Sequence, residues 1–379
     1  MKKICIFSAQ YYPHIGGVEQ YVDNFARALV SLGNEVTIVT TLMKETQIEE
    51  ERDGIKIYRL PSFLFMNGRF PFLKFSKERR RIENILKEMS FDVILVNMRF
   101  YQISLYAVQF AKRNKIRCIM LDHGTSHLNT GGKITSKIGE WYEHVLTALE
   151  KKFVKEFAGV SNATLDWIKH FGIESDLVLY NSIDVEEFEE LKENLSKDYR
   201  KELSIPKEAI VISFVGRLTI EKGIEELIIA IRKIQQKRDD VWLLVAGEGY
   251  LRDKIENAKD THIRFLGKLN KPDIVSMLMA SDIFCLPSVS EGFPTTVLEA
   301  SICGNYVIST YRGGTRELIQ NMDYGLILSD NHPDRLYEGI INVLDKEEYR
   351  EAASEKCYNE IVAKYTWKFT AQKFIDYIK

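Results

Sequence analysis

Two hydrophobic periods alternate along this chain. KICIFSA near the start is a compact apolar run, and GGVEQYVDNFARALVSLG after it sets Val18, Tyr21, Val22, Phe25 and Leu29 at three- and four-residue spacing. The first pattern predicts a short strand and the second a helix with one buried stripe. EVTIVTT, GIKIYRL, DVILVNM and RCIML predict further strands, most of them separated by helical segments. FAGVS predicts another, with Ser161 placed to cap a helix beginning at Asn162. Apolar strands alternating with amphipathic helices imply a parallel sheet covered on both faces.

The alternation pauses at residues 184–205, where DVEEFEELKENLSKDYRKELS is charge-rich and Pro206 follows closely. It restarts with AIVISFVGR and continues through VWLLVAGEG, HIRFLGKL, DIFCLPS and NYVIST, each followed by a helical segment. The pattern therefore predicts an α/β protein of two doubly wound, Rossmann-like domains, residues 1–183 and 206–364, joined by a connection at 184–205. Ligands of such sheets bind beyond the C-terminal ends of the strands, so the expected site is a cleft between the domains. YTWKFTAQKFIDYIK predicts a final amphipathic helix with Trp367, Phe369, Phe374 and Ile375 as its apolar set.

Composition narrows the class of protein. A chain of 379 residues is long for one core, which agrees with two domains. The formal net charge of −2 gives no global attraction to nucleic acid. Five cysteines, scattered through apolar runs without a CxxC pair, read as core residues in a reducing compartment. The short apolar run at the N-terminus lacks a cleavage site, and no apolar stretch approaches the length of a membrane span. These features predict a cytoplasmic protein.

Candidate chemistry gathers at predicted strand ends. Gly16-Gly17 opens the first helix, where exposed amides and the helix dipole favour an anion; a plain strand-to-helix turn would look the same. VGRLTIEKG sets Arg217 and Lys222 five residues apart at the mouth of a sheet, which suits a diphosphate or two solvated charges flanking a loop. In SEGFPTTVLEA, Thr296 and Glu299 fit a capping box. The same segment puts the amides of Thr295, Thr296 and Val297 near a helix N-terminus, with Glu299 on the Thr295 face and Glu291 before the turn. LDHGTSH carries His123 and His127 after a first-domain strand; His-x-x-x-His lacks the glutamate of an HExxH zinc motif, so no metal is assigned. No Asp-x-Asp occurs for a metal-bound diphosphate, and the GxGxxG fingerprint of dinucleotide binding is absent.

Taken in order, GGVE, His123, NSIDVEEF (181–188), GRL-x-x-EKG, FLGKL (265–269), the two glutamates of SEGFPTTVLEA and GGTREL (313–318) resemble a retaining family 4 glycosyltransferase of the group 1, cell-surface polysaccharide type. The resemblance spans essentially the whole chain and is most specific in the second half. It implies the GT-B fold, with two Rossmann-like domains facing across a cleft and residues 365–379 crossing back onto the first. It also implies a nucleotide-diphosphate sugar donor, UDP-linked, and no cofactor or metal. Arg217, Lys222, Gly16, Gly17, Thr295 and Thr296 would hold the diphosphate, Glu299 the ribose and Leu269 the base. Glu291 and His123 would contact the transferred sugar, with Phe293 and Pro294 shaping the donor wall. His123, Glu291, Arg217 and Lys222 are the candidates for catalysis. Tyr306 departs from the family pattern, which has proline after Gly-Asn.

The acceptor is the least constrained part. NGRFPFLKFSKERRRIENILK (67–87) carries seven basic residues (Arg69, Lys74, Lys77, Arg79, Arg80, Arg81, Lys87) against Glu78 and Glu83, a net +5, with Phe70, Phe72 and Phe75 interleaved. Phe63-Leu64-Phe65-Met66 precede it. Basic residues among aromatics suit an anionic lipid surface near a glycan or lipid-linked acceptor, and equally a solvated helix with one face in the core. Competing functions on this architecture are a glycosyl phosphorylase, a sugar-nucleotide epimerase and a non-catalytic partner subunit.

Overall fold

The structure is a computed structural model that describes residues 1–14, 16–44, 46–65, 70–127, 133–256 and 260–379. Two compact units emerge from it, Met1–Asn181 with Trp367–Lys379, and Ser182–Thr366.

The first unit runs β1 (Lys3–Phe7), α1 (Gly17–Ser31), β2 (Glu35–Thr41), β3 (Glu49–Arg52), β4 (Ile55–Leu60), β5 (Ser62–Phe65), β6 (Phe70–Leu73) and α2 (Lys77–Glu88). It continues with β7 (Val93–Asn97), α3 (Gln102–Asn114), β8 (Arg117–Asp122), α4 (Lys133–Glu150), β9 (Glu156–Gly159) and α5 (Asn162–Ile168). Among the described residues its main sheet has the order β3-β4-β2-β1-β7-β8-β9, parallel except for the β3–β4 pair. Strands β1 and β7 lie at its centre, and Ile4 to Phe7 and Val93 to Val96 are buried on both faces, as their unbroken apolar runs require. On α1, Tyr21, Val22, Phe25 and Leu29 form the predicted stripe. Ser161 caps α5 by accepting a hydrogen bond from the Thr164 amide at 3.0 Å.

The second unit runs α6 (Val185–Glu193), α7 (Tyr199–Glu202), β10 (Ile210–Val215), α8 (Ile224–Gln235), β11 (Val241–Ala246), α9 (Arg252–Ile255) and β12 (Ile263–Gly267). Then follow α10 (Lys271–Met279), β13 (Ile283–Leu286), α11 (Thr295–Ile302), β14 (Tyr306–Thr310), α12 (Thr315–Leu318), β15 (Leu326–Leu328), α13 (Pro333–Leu344) and α14 (Glu347–Lys364). Its sheet is parallel in the order β12-β11-β10-β13-β14-β15. The chain then returns to the first unit as α15 (Trp367–Tyr377), which packs on α1. Trp367 meets the Tyr21 ring at 5.1 Å and Phe374 meets Phe25 at 5.5 Å, both edge-on. Burying two such aromatic side chains stabilises this docking by roughly 1.5–3 kcal/mol each.

Three expectations need correction. Residues 184–205 fold within the second unit: α6 packs on α10, and Phe188 and Tyr199 are buried. Their charges lie on the solvent side of short helices, which composition alone reads as a connection. EEER (β3) and the β5–β6 pair are antiparallel strands too short or too polar for an alternating pattern to reveal. In α15, Trp367 and Phe374 are buried as expected, but Phe369 is exposed, and Thr370 and Ala371 fill the buried face in its place. In the basic stretch, Met66 and residues 67–69, Arg69 among them, lie outside the described residues. The remainder forms β6 and then α2, whose Ile82 and Leu86 enter the core.

Candidate functional site

In the second unit the strand order reverses direction between β10 and β13, so the loops after these two strands diverge and leave a crevice at their carboxyl ends. The loop after β10 is clamped by backbone contacts. The Gly216 amide donates to Ala246 O at 3.0 Å and the Leu218 amide to Glu248 O at 3.0 Å, fixing the residues on either side of Arg217. A side chain at Gly247 would place its Cβ 1.8 Å from Gly216 O, so the GEG loop can approach this closely only because it has none. Held in this way, Arg217 projects to solvent, and among the described residues its guanidinium makes no hydrogen bond or ion pair.

The loop after β13 comes back to meet it. The Val289 amide donates to Glu221 O at 2.9 Å, and Lys222 Nζ pairs with Glu291 Oε1 at 2.5 Å, with both side chains largely buried. On the far side the GGT turn closes over the same loop: the Gly314 amide donates to Gly292 O at 2.7 Å. Gly313, at φ +60°, would put a Cβ 2.3 Å from Glu291 O. Phe293 is buried against Tyr365 at 5.3 Å.

Helix α11 starts at Thr295 with Pro294 as its N-cap, and no side chain caps it. This corrects the capping-box reading of Thr296 and Glu299: Thr296 already lies inside the first turn, where its hydroxyl is not in the capping position. The Val297 amide is also not free, since it donates to Pro294 O at 3.2 Å. The Thr295 and Thr296 amides lie in the first turn of the helix, the end whose dipole favours an anion. One turn on, burial pushes the Glu299 carboxyl up to about 7, with Glu187 adding to the rise and Lys271 opposing it. Leu269 follows β12 and is half-buried just before Asn270, which caps α10.

In the first unit the corresponding strand ends carry Gly16, Gly17 and His123. The Gly17 side of the α1 N-terminus is open, whereas a Cβ on Gly16 would stand 2.5 Å from Glu19 Oε2. The buried Glu19 carboxylate thus lies against the Gly16 face of the turn and complements the helix dipole itself. His123 follows β8, edge-on to Tyr21 at 4.8 Å, and burial lowers its pKa to about 3. Its Nε2 lies 2.9 Å from Asn97 Oδ1, while Asn97 Nδ2 donates to Phe7 O at 3.3 Å. With the amide oriented by that carbonyl, Nε2 carries the proton of a neutral ring and Nδ1 keeps its lone pair.

Two family models divide the chain between them. Residues 15–187 match the model described as Glycosyltransferase Family 4, and residues 196–360 match Glycosyl transferases group 1. The chain belongs to the group 1 and family 4 glycosyltransferases. An uncharacterized glycosyltransferase of Methanocaldococcus jannaschii is 26% identical over 98% of this chain and 97% of its own length. The alpha-monoglucosyldiacylglycerol synthase of Streptococcus pneumoniae is 26% identical over 99% of this chain and 86% of its own. Among solved structures, HepE of Anabaena in complex with UDP-glucose superposes with a TM-score of 0.74 at 17% identity, covering 100% of this chain and 99% of that one. That likeness establishes the GT-B type of fold.

Within this glycosyltransferase the second unit brings Lys222 and Glu291 into direct contact and sets Phe293, Pro294, Thr295, Thr296 and Glu299 along one loop-to-helix segment. Sequence reasoning missed Asn97 and Tyr21, which fix His123. Asn97 was readable only as the last residue of an apolar strand, and Tyr21 only as a member of a helical stripe. It also missed Arg99, buried beside Asp122 at 2.9 Å and Glu143 at 3.6 Å, since nothing in NMRF marks an arginine as internal.

Proposed function

We propose that this glycosyltransferase moves a hexose-type sugar from a UDP-linked donor to a glycan or lipid-linked saccharide, with retention of configuration and without a metal. One observation carries the reading: an exposed Arg217 with its backbone clamped on both sides, at the switch point of a Rossmann-like sheet where the loop after the neighbouring β13 leads into the uncapped N-terminus of α11. A cation fixed in advance but left without an internal partner suits a diphosphate that arrives with the donor. Solved structures of the same fold hold UDP and UDP-glucose, which supports a UDP sugar here.

In this mechanism the bond from the anomeric carbon to the diphosphate oxygen breaks as the acceptor oxygen bonds to that carbon from the same face. The acceptor proton passes to a phosphate oxygen, giving the glycoside and UDP. Arg217, Lys222 and the Thr295 and Thr296 amides stabilise the departing charge. The Lys222–Glu291 pair serves as a latch: diphosphate competes for the ammonium and frees the carboxylate to accept from sugar hydroxyls. Glu299 accepts from the ribose hydroxyls, and His123 Nδ1 accepts from a hydroxyl of the transferred sugar. UDP should raise the melting temperature, and UDP-glucose or a related sugar should release UDP faster when acceptor lipid is added. No thermal shift with any nucleoside diphosphate would overturn the donor site. Sugar turnover by inorganic phosphate, or epimer formation without acceptor, would favour the phosphorylase or epimerase.

The acceptor side is proposed to lie at an anionic membrane surface, reached from the cytoplasm. Phe63 and Phe75 are 64% and 93% exposed. Lys74 stands over the Phe63 ring at 4.4 Å and Arg79 over Phe75 at 4.9 Å, so each aromatic carries a cation beside it. No helix among the described residues is long and apolar enough to cross a membrane. Attachment through this patch would be interfacial. The protein should cosediment with anionic vesicles at low salt and be released by high salt, and Phe75→Glu should weaken it roughly tenfold. Equal binding to neutral vesicles, or none to either, would remove the proposal.

A further inference from the structure

Three histidines from distant parts of the first unit converge: His127 after β8, His144 in α4 and His170 just beyond α5. One ring nitrogen from each lies within 4.8 Å of the others, and His144 Nε2 stands 3.1 Å from His170 Nε2. We propose that these three imidazoles bind a divalent transition-metal ion, zinc by their ligand chemistry, and that the bound ion pins the segment following His123 to the two helical elements.

Four aspects of the geometry favour a metal over simple ring packing. With Zn–N bonds of about 2.0–2.1 Å, tetrahedral ligand nitrogens lie roughly 3.3 Å apart, close to the observed His144–His170 separation. Second, His127 Nδ1 lies 3.1 Å from Glu143 Oε2, and Glu143 is almost fully buried. A carboxylate accepting from Nδ1–H fixes the tautomer and leaves the Nε2 lone pair for the ion, the usual outer support of a zinc-bound histidine. Third, an acidic group backs the cluster: Glu143 Oε2 lies between Arg99 Nη2 at 3.6 Å and His127 Nδ1 at 3.1 Å, and Asp122 pairs with the same arginine at 2.9 Å. Burial pushes the nearby Glu150 carboxyl well above its ordinary range. Fourth, the site is accessible and laterally braced: His170 is exposed, and its ring stacks on Trp167 at 5.4 Å with planes 14° apart. Glu140 Oε1, 3.6 Å from His127 Nε2, is the nearest carboxylate for a fourth position, which water would otherwise fill.

All contributing residues belong to the first unit, so the proposal stands apart from the donor-binding reading. Full-length protein purified without a histidine tag and stripped with EDTA would be titrated with ZnCl2 by calorimetry, with metal content checked after dialysis. The expected result is one zinc per chain at micromolar affinity or tighter, with a raised melting temperature. His170→Ala, at an exposed position, should fold normally and weaken zinc by at least about tenfold, as should His144→Ala. Cobalt added instead should give the visible absorption of a four-coordinate site that the double variant lacks. Absence of saturable uptake, or uptake unchanged in the double variant, would overturn the site and leave an aromatic cluster.

Discussion

The loops at the C-terminal edges of the two sheets are held in different ways. In the second unit, backbone meets backbone: Gly247 against Gly216, Gly314 against Gly292, Val289 against Glu221. One side-chain pair, Lys222 with Glu291, adds to these contacts, while Arg217 faces outward without an internal partner among the described residues. In the first unit, side chains hold side chains. His123 is fixed by Asn97 and Tyr21, and Arg99 by Asp122 and Glu143, with contributors drawn from several strands and helices. A loop clamped by its backbone can spend its side chains on a ligand. A loop clamped by its side chains has fewer to offer, and those it offers are already tuned by their neighbours.

The sharpest way to break this comparison is Arg217→Ala. If the backbone clamp supports the loop and the guanidinium serves only the ligand, transfer should fall by roughly 10²–10³-fold. Because the side chain is exposed and unpaired, stability should change by no more than about 0.5 kcal/mol. Initial rates of UDP release and a urea melt on the same preparation check both halves. Near-wild-type turnover would remove the diphosphate role, and a large loss of stability would show that the side chain, too, was structural.

The same contrast explains what the sequence made legible. Glycines that permit close backbone approach must occupy fixed places in short motifs, so GRL-x-x-EKG, SEGFPTTVLEA and GGTREL stand out along the chain, and with them Arg217, Lys222 and Glu291. The strands were legible for a related reason, since a doubly covered parallel sheet needs unbroken apolar runs such as VILVN and IVISFV. The polar edge strand EEER follows no such demand and was missed. Nor could spacing reveal the Arg99 network or the three histidines, whose members lie tens of residues apart and meet only when α4 and α5 are laid beside β8. The capping-box reading failed on a subtler point. Thr296 and Glu299 have the right spacing, but Pro294 fixes the extended backbone before Thr295, and the helix begins two residues too early for Thr296 to cap it.

A smaller effect separates the two edges by their titration. Burial holds Glu299 at about 7 and His123 at about 3, so of these two only Glu299 changes charge near neutrality. A carboxylate accepts hydrogen bonds from both ribose hydroxyls better than the protonated acid does, so donor affinity should rise with pH through 7. If the ionised form alone binds, its fraction grows from about one tenth at pH 6 to about nine tenths at pH 8, close to a tenfold fall in apparent Kd. Folding should show the opposite sign. A carboxyl whose folded pKa exceeds its unfolded value binds more protons in the native state, so stability declines as pH climbs from about 4.5 to 7. Glu299→Gln should bind UDP more weakly, flatten the affinity profile and lift the decline in stability. His123→Ala should slow transfer yet leave the inflection near 7 in place, because its ring stays neutral throughout that range. An inflection lost with His123 and kept with Glu299→Gln would reverse the assignment, making the side-chain-held edge the titrating one.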